Sequence, residues 1–208
     1  MGEVLDLSEA ASSKLLDAAR RLFLAHGYDR VNLERIAKEA GVSRQTLYNR
    51  FGSKETVFRA MLQRHWDQLN VSAFLEELNG PGGVPEASEV LRAFAQLLLR
   101  FVRENDQVDV IRLVIAESRR LSWIAEDFYR VGKAPLLDAL AAALDRLSGL
   151  GRLQCTDAFV AAHQFFGLVQ EMTLWPAVMA APAARDHLPA EERVIDEAIL
   201  TFLSRYAS

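Results

Sequence analysis

The feature that most constrains this chain is Gly41, which cuts a helical pattern into two short halves. Before it lies "LERIAKEA" (33–40) and shortly after it "RQTLYNRF" (44–51). Asn32 and Ser43 stand where a side-chain oxygen caps the start of each half. Two short helices joined by a glycine-bearing turn form a helix-turn-helix, and its second helix can enter a DNA major groove. Leu33, Ile36, Ala37, Val42, Leu47 and Phe51 supply the small apolar core that fixes the pair. Arg44, Gln45, Tyr48 and Asn49 are left outside, types that hydrogen-bond base edges or meet a thymine methyl. Thr46, Arg50 and Lys54 suit phosphate, and Lys54 also opens a helix whose N-terminus favours an anion.

Charge is distributed to match. The chain carries a net charge of −4, yet residues 30–64 hold eight basic side chains against three acidic ones. Residues 1–62 as a whole are mildly basic and the remainder is acidic. A local basic excess is the footprint expected for a polyanion.

The rest of the sequence reads as all-α, with about nine helices, no internal repeat and no strand run. "SKLLDAARRLFLAH" (13–26) has Leu15, Leu16, Ala19, Leu22 and Phe23 at helical spacing, and Gly27 follows as a terminator. Ser53 caps a fourth helix expected from Lys54 to about Leu78. The loop "NGPGGVP" (79–85) follows, then helices near 86–103, 106–118, 122–148, 157–175 and 191–206. The expected division is a DNA-binding domain over 1–62 and a helical effector-binding and dimerisation domain over 63–208.

Several classes of function are disfavoured. The start of the chain is acidic and lacks the apolar core of a signal peptide. The longest apolar runs fall short of the roughly 20 residues of a membrane span, so a soluble, cytoplasmic protein is expected. Cys155 is the single cysteine and fits a reducing compartment. His26, His65, His163 and His187 stand apart, without metal spacing. With no nucleophile elbow and no phosphate-cradling loop, we expect no enzyme, no metal and no cofactor.

Residues 15–62, which include "AARRLFLAHGY", "IAKEAGVSRQTLYNRF" and "SKETVF", resemble the N-terminal domain of the tetracycline-repressor (TetR) family of transcription regulators. The resemblance implies a DNA-facing set of Asn32, Arg44, Gln45, Thr46, Tyr48, Asn49, Arg50 and Lys54. Two departures matter. Asn32 is followed three residues on by Arg35 rather than an acid, so the reciprocal half of a capping box is missing. Gln45 stands where many members have glycine, and its amide suits adenine.

Downstream, the helix of 157–175 is apolar on two sides and must be buried on two sides. One stripe holds Ala161, Phe165, Leu168, Met172 and Trp175; another holds Phe159, Ala162, Phe166, Val169 and Thr173. With Ile195, Ile199 and Phe202 of the last helix, the first stripe is the expected homodimer interface, an assembly the family resemblance also implies. Residues 111–144 are similar to the AefR-like group of C-terminal domains, with Ser122 where a proline is expected. That resemblance implies a small-molecule site, for which Trp66, Phe94, Leu98, Arg112, Trp123, Phe128, Phe166 and Gln170 are the candidates. The expected whole is a homodimeric repressor, released from a palindromic double-stranded DNA operator by a small, mostly apolar effector. The alternative is an effector-independent DNA-binding or protein-recruiting factor.

Overall fold

A computed structural model describes residues 2–78, 85–180 and 187–208. Among them the chain is all-α, with no strand and a single isolated bridge between Leu153 and Ala207. The helices are α1 (Gly2–His26), α2 (Leu33–Ala40), α3 (Arg44–Phe51), α4 (Lys54–Asp67), α5 (Val71–Leu78), α6 (Ala87–Glu104), α7 (Gln107–Ser118), α8 (Ser122–Phe128), α9 (Ala134–Gly149), α10 (Ala158–Thr173), α11 (Trp175–Val178) and α12 (Glu191–Tyr206). A π-helical turn, Tyr129–Lys133, joins α8 to α9.

Four expectations shift, the first being the helix expected over 122–148, which the π-helical turn divides into α8 and α9. Helix α1 begins at Gly2, well before Ser13. The fourth helix does not run unbroken to Leu78. It ends at Asp67, and α5 starts afresh after Asn70. Asn70 has φ +50°, a left-handed conformation that asparagine tolerates better than most residues, and its Oδ1 accepts the Ala73 N–H at 3.3 Å. The segment expected as one helix over 157–175 stops at Thr173, with the short α11 following. Of the expected loop 79–85, residues 79–84 lie outside the described residues.

The chain packs as two units. The first comprises the residues up to Trp66 together with Asp109–Val131, so α7 and α8 join the helix-turn-helix although far from it in sequence. Its core runs through Leu15, Phe23, Ile36, Leu47, Phe58, Leu62, Val110 and Ile124, all inaccessible to solvent. Phe23, Tyr28, Phe58 and Trp123 form an aromatic cluster with ring centres 5.1–5.7 Å apart, mostly edge to face.

The second unit comprises Asp67–Val108 and Gly132–Ser208. There α10 packs against α6, α9 and α12, and α5 against α6 and α9. Phe94, Phe165 and Phe202 run through its centre, with Phe165 to Phe202 at 5.6 Å edge to face. Each such ring contributes roughly 1.5–3 kcal/mol by leaving water. The C-terminus is held by Gln154, whose N–H donates to Tyr206 O at 2.7 Å, and by the Tyr206 hydroxyl, which donates to Gln164 at 2.6 Å.

Candidate nucleic-acid interface

The helix-turn-helix is built by local capping over a shared core. Asn32 Oδ1 accepts the Arg35 N–H at 2.8 Å, so the cap forms without its reciprocal acid. The Arg35 side chain turns instead to His26, with Nη2 at 2.6 Å from the ring Nε2. Gly41 has φ +66°, and the Val42 N–H reaches back to Ala37 O at 3.0 Å, which terminates α2 and sets the turn. Ser43 Oγ then accepts the Thr46 N–H at 3.0 Å and starts α3. Leu47 is the one buried residue of α3, which it anchors beside Ile36 in the first unit's core. The caps and Leu47 thus present every other α3 side chain, the half-exposed Phe51 apart, to solvent.

That exposed surface is ordered into pairs four residues apart, the spacing at which helical side chains meet. Arg44 lies 5.2 Å from the Tyr48 ring centre and also ion-pairs with Glu34 of α2. The hydrogen bond that Arg44 donates to the Tyr48 hydroxyl and the charge of Glu34 both raise the Arg44 pKa. Gln45 Nε2 donates to Asn49 Oδ1 at 2.7 Å. The hydroxyls of Ser43 and Thr46 share a 2.8 Å hydrogen bond. Between α1 and α3 a pocket of about 340 Å³ is lined by Ala11, Ser12, Leu15, Thr46, Asn49 and Arg50.

Lys54 and Asn32 are more committed than the sequence suggests. Lys54 Nζ donates to Tyr28 O at 3.0 Å and sits 4.1 Å from the Tyr28 ring centre. Burial lowers its pKa. An ammonium has three donors, so Lys54 keeps two for a phosphate. Asn32 commits one lone pair of its oxygen to the cap, leaving the other and its NH2 for any further partner.

A second set of contacts went unread in the sequence. Glu117 of α7 accepts the Tyr28 N–H at 2.9 Å and pairs with Arg120 at 3.0 Å, while Arg120 also pairs with Asp29 at 2.7 Å. On α8, the buried Asp127 pairs with Arg59 of α4 and with Arg130 at 2.7 Å. Arg59 bridges Glu55 and Asp127 over the Trp123 ring. The only signal for this network was the acidic and basic residues of α7 and α8, which carry no spacing that names a partner 89 residues away.

The candidate effector residues fall in two groups. Trp66, Arg112, Trp123 and Phe128 belong to the first unit, where Trp66 meets Phe128 at 5.1 Å and Trp123 closes the aromatic cluster. Phe94, Leu98, Phe166 and Gln170 belong to the second, where Phe94 is fully buried between Phe74, Phe165 and Phe166. A cleft of about 360 Å³ opens between α5 and α6, and none of the eight candidates lines it.

The expected dimer stripe is split as well. Ala161, Phe165, Ile195, Ile199 and Phe202 are already covered within one chain. Leu168, Met172 and Trp175 are 38–47% exposed, and they are joined by Phe159, Val160 and Leu200. Leu168 and Met172 also line a groove of about 450 Å³ against α12. Among the described residues no helix is long and apolar enough to cross a membrane, and no three His, Cys, Asp or Glu cluster as a metal site.

Residues 15–61 match the family profile "Bacterial regulatory proteins, tetR family", and residues 89–208 match "AefR-like transcriptional repressor, C-terminal domain". The transcriptional activator FasR of Mycolicibacterium smegmatis is 35% identical over 94 residues, which is 45% of this chain and 41% of FasR. The chain spans less than half the length of the first curated relatives it matches. The regulator YezE of Bacillus subtilis is 27% identical over 157 residues, covering 74% of this chain and 78% of YezE. Among solved structures, a TetR-family regulator from Mesorhizobium loti superposes with TM-score 0.80 at 25% identity, over 97% of this chain and 98% of that one. The flavonoid-responsive regulator FrrA superposes with TM-score 0.74 at 29% identity, over 95% and 97%. These are transcription regulators, not enzymes.

Proposed function

The chain belongs to the TetR family of bacterial transcription regulators, and from that membership we propose that it is a homodimeric repressor whose α3 reads a palindromic DNA operator. The observation that carries this reading is the surface of α3. Arg44, Gln45, Thr46, Tyr48, Asn49 and Arg50 are all exposed on a helix held from behind by Leu47. Arg44, Gln45, Tyr48 and Asn49 face base edges. Thr46 and Arg50 seat the helix on phosphates, helped by the free donors of Lys54. Asn32 positions α2 by capping it and adds one amide donor.

Two half-sites require two reading heads about 34–36 Å apart. The exposed apolar residues Leu168 and Met172 of α10 and Trp175 of α11 support pairing with a second copy, because monomeric proteins rarely leave such a patch in water. The division of labour is then DNA reading by 1–62 and regulation by 63–208. An effector that binds one separation of the heads better than another shifts the population by its differential affinity. A small apolar molecule in the helical body, near Phe94, Leu98, Phe166 and Gln170, is the proposed effector. FrrA, whose name records a response to flavonoids, supports that class. The close packing around Phe94 favours the second reading, a factor with no effector. A thermal-shift panel of apolar aromatics separates the two readings.

Fluorescence anisotropy with genomic duplexes selected by the full chain tests the main reading. Binding that is tight and sequence-dependent sustains it. Binding that is weak and equal on random DNA ends it.

A further inference from the structure

Resting on that DNA-reading role, we infer that Gln45 and Asn49 read one A·T base pair together, as a single composite amide. The two side chains are exposed, four residues apart, and joined by the 2.7 Å hydrogen bond from Gln45 Nε2 to Asn49 Oδ1. That bond leaves Gln45 Oε1, an acceptor, and Asn49 Nδ2, a donor, on two exposed side chains for an outside partner. With both amides turned over, Asn49 Nδ2 donates to Gln45 Oε1, and the outward pair is a donor beside an acceptor. Either way the composite edge offers one of each.

Only adenine matches that edge in the major groove. Its N7 accepts and its N6 amino group donates, side by side. Guanine presents two acceptors, N7 and O6, and would leave the carbonyl of the composite facing an oxygen. Cytosine offers a donor without an adjacent acceptor, and thymine an acceptor beside a methyl group. The internal bond also holds both long side chains in the reading pose before DNA arrives, which reduces the ordering entropy on binding.

The neighbouring pair differs. Arg44 is held by Glu34 of α2 and by Tyr48, whereas among the described residues Gln45 and Asn49 hold only each other. The adenine preference is therefore a property of two residues acting as one, and substitution of either abolishes it at the same base pair.

The test begins with selection of duplexes from a random pool by the full chain. Anisotropy then compares wild type, Gln45→Ala, Asn49→Ala and the double variant on the selected site and on each base change within it. One A·T pair per half-site should cost wild type roughly tenfold when changed to G·C, about 1.4 kcal/mol, and cost both single variants nothing. The double variant should bind no more weakly than the weaker single one. Asn49→Asp keeps the internal acceptor and removes the outward donor, so it should move the preference at that pair from adenine towards cytosine. Unchanged thermal melts confirm that the fold is intact. Losses that add, or that fall on two different base pairs, overturn the composite reading while leaving the regulator reading intact. Absence of any selected sequence for wild type overturns both.

Discussion

The α3 surface and the α10 surface are both exposed helical faces, yet they are built on opposite chemistry. On α3, polar side chains are tied to one another at four-residue spacing, and a single leucine is buried. On α10, Val160, Leu168 and Met172 stand in solvent and Phe159 packs on the His163 ring at 4.2 Å, while Phe165 and Phe166 fill the core behind them. The first surface has its hydrogen-bonding capacity partly prearranged for an ordered polar partner. The second gains only by leaving water, so any complementary apolar face can satisfy it, including its own copy.

The most direct way to break the comparison is at α10. Leu168→Glu with Met172→Glu should leave the fold intact and yield monomers by light scattering. Operator affinity should fall on the order of 10²- to 10⁴-fold, because each half-site is then read alone. One step inward, Phe165→Ala should instead cost about 3–5 kcal/mol in urea unfolding, since that ring is inside a single chain. Equal effects from the two substitutions would erase the distinction between covered and open faces.

On the DNA side, Arg44→Ala should cost roughly 1–3 kcal/mol on the selected operator and relax one base position. Gly27→Ala should destabilise by about 1–2 kcal/mol. Its φ is +76°, and an added Cβ would meet Glu117 Oε1 at 2.8 Å. Adding Glu117→Ala removes that collision but also the acceptor of the Tyr28 N–H and the Arg120 ion pair, so no stability should return. The smallest effect belongs to Glu34→Gln. Its ion pair with Arg44 is exposed and screened by solvent, so unfolding should hardly change while DNA binding gains slightly from the lost negative charge. A large loss of stability there would mean that the pair is structural.

What was legible in the sequence was what local chemistry dictates. Asn32, Gly41 and Ser43 mark the turns by residue type, and all three act as read. The all-helical class followed from periodicity. Less legible were choices made by distant partners. Periodicity draws two apolar stripes on α10 but cannot say which atoms another helix covers, and α12 and α9 cover parts of both. The break at Asn70 was hidden because the residues around it keep helical spacing. The attachment of α7 and α8 to the first unit uses Glu117 and Asp127 beside the buried Val110 and Ile124, and their partners lie far away in sequence.

The Tyr28 peptide has a further consequence. It lies in the turn after α1, yet Glu117 holds its N–H and Lys54 holds its following carbonyl, while its ring sits within the aromatic cluster. Turn amides normally trade their hydrogen for deuterium quickly. This one can do so only when the carboxylate of α7 lets go, so its exchange rate is a clock for the opening of the first unit. Followed by mass spectrometry with and without operator DNA, that one slow amide would report whether gripping the double helix also tightens the grip of α7.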